Sequence, residues 1–100
     1  MIYADVAVIG GGPAGMSAAI SAKKAGAQKV VLIERDERAG GILQQCIHNG
    51  FGLHKFKEEL TGPEYGERYE QMTFEEGVQL LTDTTVTDLS RDRIVTCINE

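Results

Sequence analysis

Gly10, Gly12 and Gly15 stand at the spacing G-x-G-x-x-G behind the apolar run Val6 to Ile9, and Glu34 follows nineteen residues after Gly15. Each of these residue types has a job in holding the ADP portion of a dinucleotide. Gly10 lets the chain turn sharply out of a strand. Gly12 has no side chain, so a pyrophosphate can approach the main chain. Gly15 lets the following helix pack closely on the strand. A helix N-terminus offers unpaired N–H groups and partial positive charge to phosphates, worth about 0.3–1 kcal/mol for a surface anion. Glu34, at the end of a second apolar run, is placed to accept hydrogen bonds from ribose hydroxyls.

The elements needed to hold these residues are legible on both sides of the glycines. Val6, Val8 and Ile9 read as a buried strand. Pro13 suits a first helical turn, where no N–H is needed. Ala14, Ala18, Ala19, Ala22 and Ala25 give a slim, strongly helical surface, and Gly26 is well placed as its stop. Lys29-Val30-Val31-Leu32-Ile33 is nearly all apolar, as expected for a parallel strand covered on both faces. The prediction is an α/β, Rossmann-like dinucleotide-binding domain: a parallel sheet with flanking helices.

From Asp5 to Glu34 the chain resembles the N-terminal FAD-binding unit of the two-dinucleotide-binding-domain flavoproteins, the pyridine-nucleotide-disulfide oxidoreductase superfamily. Gly40-Gly41, downstream of Glu34-Arg35-Asp36-Glu37-Arg38-Ala39, resembles the glycine pair that follows the second strand in many such enzymes. Ile42 to Leu53 is similar to NAD(P)/FAD-dependent oxidoreductases related to the FAD subunits of sarcosine and opine oxidases. The resemblance implies FAD as cofactor, with NAD(P) in the complete protein. It places Gly10, Gly12, Pro13, Ala14 and Gly15 at the pyrophosphate. Glu34 would hold the adenosine ribose with Arg35 nearby, and Gly40, Gly41 and Ile42 would line the flavin side.

One departure narrows the chemistry. Disulfide reductases of this superfamily carry paired cysteines just beyond the glycine pair, whereas this chain has Ile42-Leu43 there, with only Cys46 nearby and Cys97 far away. A dithiol–disulfide relay is not supported, so no catalytic residue is assigned and the redox chemistry would rest on flavin alone. Cys46 and His48 could form a nucleophilic pair. The favoured reading is a small packed Cys and a His bonded to backbone. Cys46, His48 and His54 lack a recognised zinc spacing, so no metal is expected. Gln44 and Gln45 could bond the flavin ring or merely solvate a loop. Tyr65 and Tyr69 read as core aromatics rather than proton donors.

Length and charge bound the rest. The chain has 100 residues, and one doubly wound domain typically needs about 100–150. No second glycine-rich fingerprint follows residue 52. The chain is therefore expected to be the N-terminal part, residues 1–100, of a larger flavoprotein, or a subunit whose partner or second copy completes the site. Residues 1–50 carry five basic and four acidic groups; residues 51–100 carry five and eleven, within a net charge of −5. That acidic half lacks the basic footprint that nucleic-acid binding requires. Glu58, Glu59, Glu64, Glu67, Glu70, Glu75 and Glu76 read as solvated helix faces. No apolar stretch is long enough to span a bilayer, and no basic flank marks a signal peptide. Two cysteines make no disulfide framework, so the cytoplasm is the expected location.

Beyond the fingerprint, residues 40–52 read as a loop or broken helix over the cofactor. Leu53, Phe56 and Leu60 mark a short amphipathic helix. Thr61-Gly62-Pro63 breaks it and opens another, with Tyr65, Tyr69 and Met72 as its buried stripe and its end near Gly77. Residues 78–86 then suggest one strand, 88–92 a turn and 93–98 a returning strand. In the flavoprotein plan these supply the third parallel strand and open a β-meander, in which the chain stops.

Three functions stand open. One is an FAD-dependent oxidoreductase, of which this chain is an inactive portion by itself, acting on a small-molecule substrate. The second is an NAD-binding dehydrogenase without flavin, since Glu34 repels the 2′-phosphate of NADP. The third is a non-catalytic nucleotide-binding module. The glycine pair at 40–41 favours FAD, because a plain NAD site does not need a second close backbone approach.

Overall fold

The fold is that of a computed structural model in which residues 1–41 and 62–99 are described. Its elements in chain order are β1 (Val6–Ile9), α1 (Pro13–Lys24), β2 (Val30–Ile33), α2 (Gly62–Glu75), β3 (Gln79–Leu81), β4 (Thr84–Leu89) and β5 (Val95–Asn99). Strands β1, β2 and β3 form a parallel sheet in that order, with Val6 opposite Val30 and Leu32 opposite Leu80. Strands β4 and β5 pair antiparallel as a separate ribbon.

Burial follows from strand order. β2 is central, and all four of its residues are buried. Along β1 the side chains alternate between the two faces, and among the described residues the face covered is the one toward α1, so Val6 and Val8 are half-buried while Ala7 and Ile9 are exposed. The expectation of a fully buried first strand is corrected accordingly. Val30 and Leu32 join Met16 and Ala19 of α1, Ala39 and Val78 in the core, with Val6, Val8 and Leu80 packed against it. Of the alanines of α1, Ala19 is buried and Ala22 half-buried; Met16 and Ile20 supply the remaining bulk.

Both helices end the same way. At α1, Gly26 N–H donates to the Lys23 carbonyl and Ala27 N–H to the Ala22 carbonyl; at α2, Gly77 and Val78 donate to Phe74 and Thr73. This double closure needs a left-handed residue after the cap. Gly26 (φ 111°) and Gly77 (φ 81°) provide it at no steric cost. Each stop directs the chain straight into the next strand.

Two expectations for the second half change. The buried line of α2 is Gly62, Gly66 and Thr73, while Tyr65, Tyr69 and Met72 are half-buried. The two tyrosines stack edge-to-face on its flank, ring centroids 5.1 Å apart. The single strand expected over residues 78–86 is two strands. Asp83 takes φ 52° and donates its N–H to the Asp36 carbonyl, which turns the chain out of the parallel sheet and into the ribbon. The amphipathic helix expected at Leu53, Phe56 and Leu60 lies outside the described residues. So do Ile42, Gln44, Gln45, Cys46, His48 and His54.

Candidate dinucleotide-binding site

The site forms where β1 and β2 end side by side. Gly10 N–H donates to the Ile33 carbonyl at 2.8 Å, carrying the ladder one residue past β1. The chain then reverses at Gly10, whose φ of 100° excludes other residue types. α1 starts at Pro13 with Gly12 as its cap residue, and no side chain caps it. Its first internal bond runs from Met16 N–H to the Gly12 carbonyl. Within the helix the N–H groups of Ala14 and Gly15 have no carbonyl partner four residues back. The terminus carries no acidic residue in its first turn.

The three fingerprint glycines are needed for different reasons. A Cβ on Gly15 would sit 1.8 Å from the Gly10 carbonyl oxygen, so only glycine permits this approach of helix to turn. A Cβ on Gly12 would meet nothing within 4 Å. Among the described residues the mouth of the helix is open, with room in front of bare backbone. Gly41 crosses close to it: a Cβ there would lie 3.2 Å from Gly12 Cα. The second glycine turn therefore packs against the first, tied by Gly40 N–H donating to the Gly11 carbonyl at 2.7 Å.

Glu34 is 6% exposed, and its carboxylate is a strut. Oε1 accepts from Gly11 N–H at 2.8 Å and Oε2 from Asp36 N–H at 2.7 Å. Each oxygen keeps one further acceptor site. Gly11, an x position of the spacing pattern, was assigned no role from the sequence. A Cβ there would lie 3.0 Å from Glu34 Oε1 and 3.3 Å from the Ala39 Cβ, so any larger residue would press on the carboxylate and on Ala39. A run of three glycines where the pattern asks for two was the available signal.

Beside the helix mouth lies a cleft of about 290 Å³, lined by Ile9, Gly10, Ile33, Glu34 and Arg35 on one side and by Thr84, Thr85 and Val86 on the other. The β4 wall was missed by sequence reasoning because it depends on the turn at Asp83. Of the residues expected at the site, Gly10, Gly12, Pro13, Ala14, Gly15, Glu34, Arg35, Gly40 and Gly41 gather at the carboxyl ends of β1 and β2, where open α/β sheets bind ligands. Tyr65 lies on α2; burial, then the neighbouring Tyr69, raises its phenol above the ordinary value. No group of three or more candidate metal ligands occurs among the described residues.

An open helix N-terminus, a tight glycine turn and a carboxylate at the end of the second strand together define the dinucleotide-binding βαβ class. The chain belongs to the FAD-dependent oxidoreductase family, whose model matches residues 5–96. It is 40% identical over 81 residues to the NADH glutamate synthase of Schizosaccharomyces pombe, covering 81% of this chain and 3% of that protein. It is 34% identical over 76 residues to thioredoxin reductase of Helicobacter pylori, covering 75% and 24%. The thioredoxin reductase structure of Lactococcus lactis superposes with a TM-score of 0.77 at 27% identity, over 98% of this chain and 31% of that one. The chain thus spans less than a third of the length of these relatives. The expected α/β class stands, with a three-stranded parallel sheet, flanking helices and an antiparallel ribbon.

Proposed function

We propose that this chain holds the ADP half of FAD, as the nucleotide-binding portion of an oxidoreductase. The space in front of Gly12 among the described residues, at a helix start that no side chain caps, carries the reading. A doubly charged pyrophosphate fits bare backbone at a helix N-terminus. The remaining acceptor positions of Glu34 face the ribose hydroxyls, Arg35 stands at the cleft edge, and the β4 wall flanks the base. Gly40 and Gly41, packed on that turn, stand on the flavin side in this reading.

When bound, FAD supplies hydride or electron transfer. The residues of this chain bind and orient it: the glycine turn seats the phosphates, and Glu34 keeps that turn in shape. Support comes from the family match and from a second glycine turn packed on the first. NAD(P) as a second cofactor, a small-molecule substrate, a partner subunit or second copy, and a cytoplasmic location belong to the same proposal for the whole protein.

The test is direct titration with FAD, FMN and NAD⁺, with flavin absorbance read after denaturant release. Binding of FAD in preference to FMN is expected, because FMN lacks the adenosine and its phosphate. Binding of NAD⁺ with no measurable affinity for FAD overturns the flavin reading in favour of a nicotinamide dehydrogenase.

A further inference from the structure

We infer that Asn99, at the end of β5, is a positioning residue for the nucleotide cleft; the inference rests on the ADP-binding reading above. Asn99 is 65 positions from Glu34 in sequence and lines no part of the cleft. Its side chain nevertheless closes the junction where the chain leaves the parallel sheet for the ribbon. Asn99 Nδ2 donates to Thr84 Oγ1 at 2.9 Å, to the Thr82 carbonyl at 3.1 Å and, more weakly, to the Asp83 carbonyl at 3.4 Å.

Thr84 Oγ1 spends its own proton on the Thr82 carbonyl at 2.8 Å, so toward Asn99 it is an acceptor. Three acceptors around one nitrogen orient the amide with its NH₂ group inward. The clamped junction is the one that holds Asp83 in the left-handed region. Thr84 itself is buried, and its N–H donates to the Glu34 carbonyl at 3.0 Å. A continuous path therefore runs from Asn99 through Thr84 to Glu34, whose carboxylate pins Gly11. The first part of that path sets where Thr84, Thr85 and Val86 stand, and these form the cleft wall facing Glu34.

Releasing the clamp should let β4 shift away from the base and ribose while the glycine turn stays in place. The turn is held separately, by Glu34 Oε1 and by Gly40 N–H. The structural consequence is a selective one. Affinity for ligands carrying adenosine should fall, and affinity for bare pyrophosphate should not.

The experiment is isothermal titration of the parent chain, Asn99→Leu and Asn99→Gln with ADP and with inorganic pyrophosphate. Asn99→Leu is expected to weaken ADP binding about three- to tenfold, the range set by a net hydrogen bond. Pyrophosphate affinity should stay within about twofold of the parent, and Asn99→Gln, which keeps an amide, should recover part of the loss. Unchanged ADP affinity in Asn99→Leu overturns the inference. Equal loss for both ligands also overturns it, since that marks general disturbance of the fold. A parent chain that binds neither ligand overturns the nucleotide reading itself, before any variant is compared. If circular dichroism shows Asn99→Leu unfolded, Asn99→Ser carries the same comparison.

Discussion

Gly12 and Gly15 lie three residues apart in one motif yet answer to different physics. Alanine at 15 drives a methyl into the Gly10 carbonyl oxygen, and the rigid turn cannot yield without moving β1. Gly15→Ala should lower stability by about 1–3 kcal/mol, the usual cost of overpacking. Alanine at 12 enters open space, so Gly12→Ala should melt near the parent while FAD affinity drops, because the methyl occupies the approach of the pyrophosphate. Thermal melts and FAD titration of the two variants separate these effects; a Gly12→Ala chain with parental affinity removes Gly12 from the phosphate site. Glu34 makes a second test at this scale. Were it only a ribose ligand, Glu34→Gln would leave the ligand-free fold untouched. Its carboxylate, however, accepts two backbone N–H groups in a buried position, and an amide nitrogen would face one of them donor to donor. Glu34→Gln should therefore lose about 1–3 kcal/mol without any ligand present. Denaturant unfolding of the apo chain checks this. FAD affinity should also fall about tenfold or more through the lost charge-assisted contact.

At the scale of elements, the β4–β5 turn carries a local conflict. Ser90 N–H donates to the Ile94 carbonyl, Arg93 N–H returns to the Ser90 carbonyl, and Arg93 adopts φ 62°. This is a three-residue hairpin loop whose last position prefers glycine. Ser90 Oγ offsets part of the strain by accepting from Ile94 N–H at 3.1 Å. Arg93→Gly should raise stability by up to about 1 kcal/mol, the left-handed penalty less the added unfolded-state entropy. A higher denaturation midpoint with unchanged slope would show it; a lower midpoint would mean that the Arg93 side chain contributes more than its backbone costs. The helices present no such conflict. Pro13 and Gly26 bracket α1, and Gly77 closes α2, each where the backbone requires that residue type.

For the whole molecule the balance is thin. Among the described residues the parallel sheet has three strands, β1 is bonded on one side, and the ribbon leaves Leu89, Ile94 and Ile98 exposed. One hundred residues taken by themselves bury a modest share of their surface, so the stability of this stretch on its own is expected at the low end of the range. Ligand linkage should be correspondingly visible. FAD at 100 times its Kd should add about 2.7 kcal/mol, and FMN at the same concentration far less. Scanning calorimetry with each ligand tests this, and an FAD-independent melting temperature would argue against a preformed site.

The primary sequence alone determined the first βαβ unit, because its information is local. Apolar runs set strand identity, Pro13 and Gly26 set the limits of α1, and the glycine spacing announced the tight turn between strand and helix. The roles of Gly11, Thr84 and Asn99 were decided by tertiary structure. Each depends on a partner far away in sequence: Glu34 over Gly11, the Glu34 carbonyl behind Thr84, and the Thr82–Thr84 junction beneath Asn99. The division of residues 79–89 into two strands has the same origin, since Asp83 turns where it meets Asp36. Periodicity reports which face of a segment is apolar. It carries no record of which distant backbone group a polar side chain will meet, and in this chain those meetings shape the cleft.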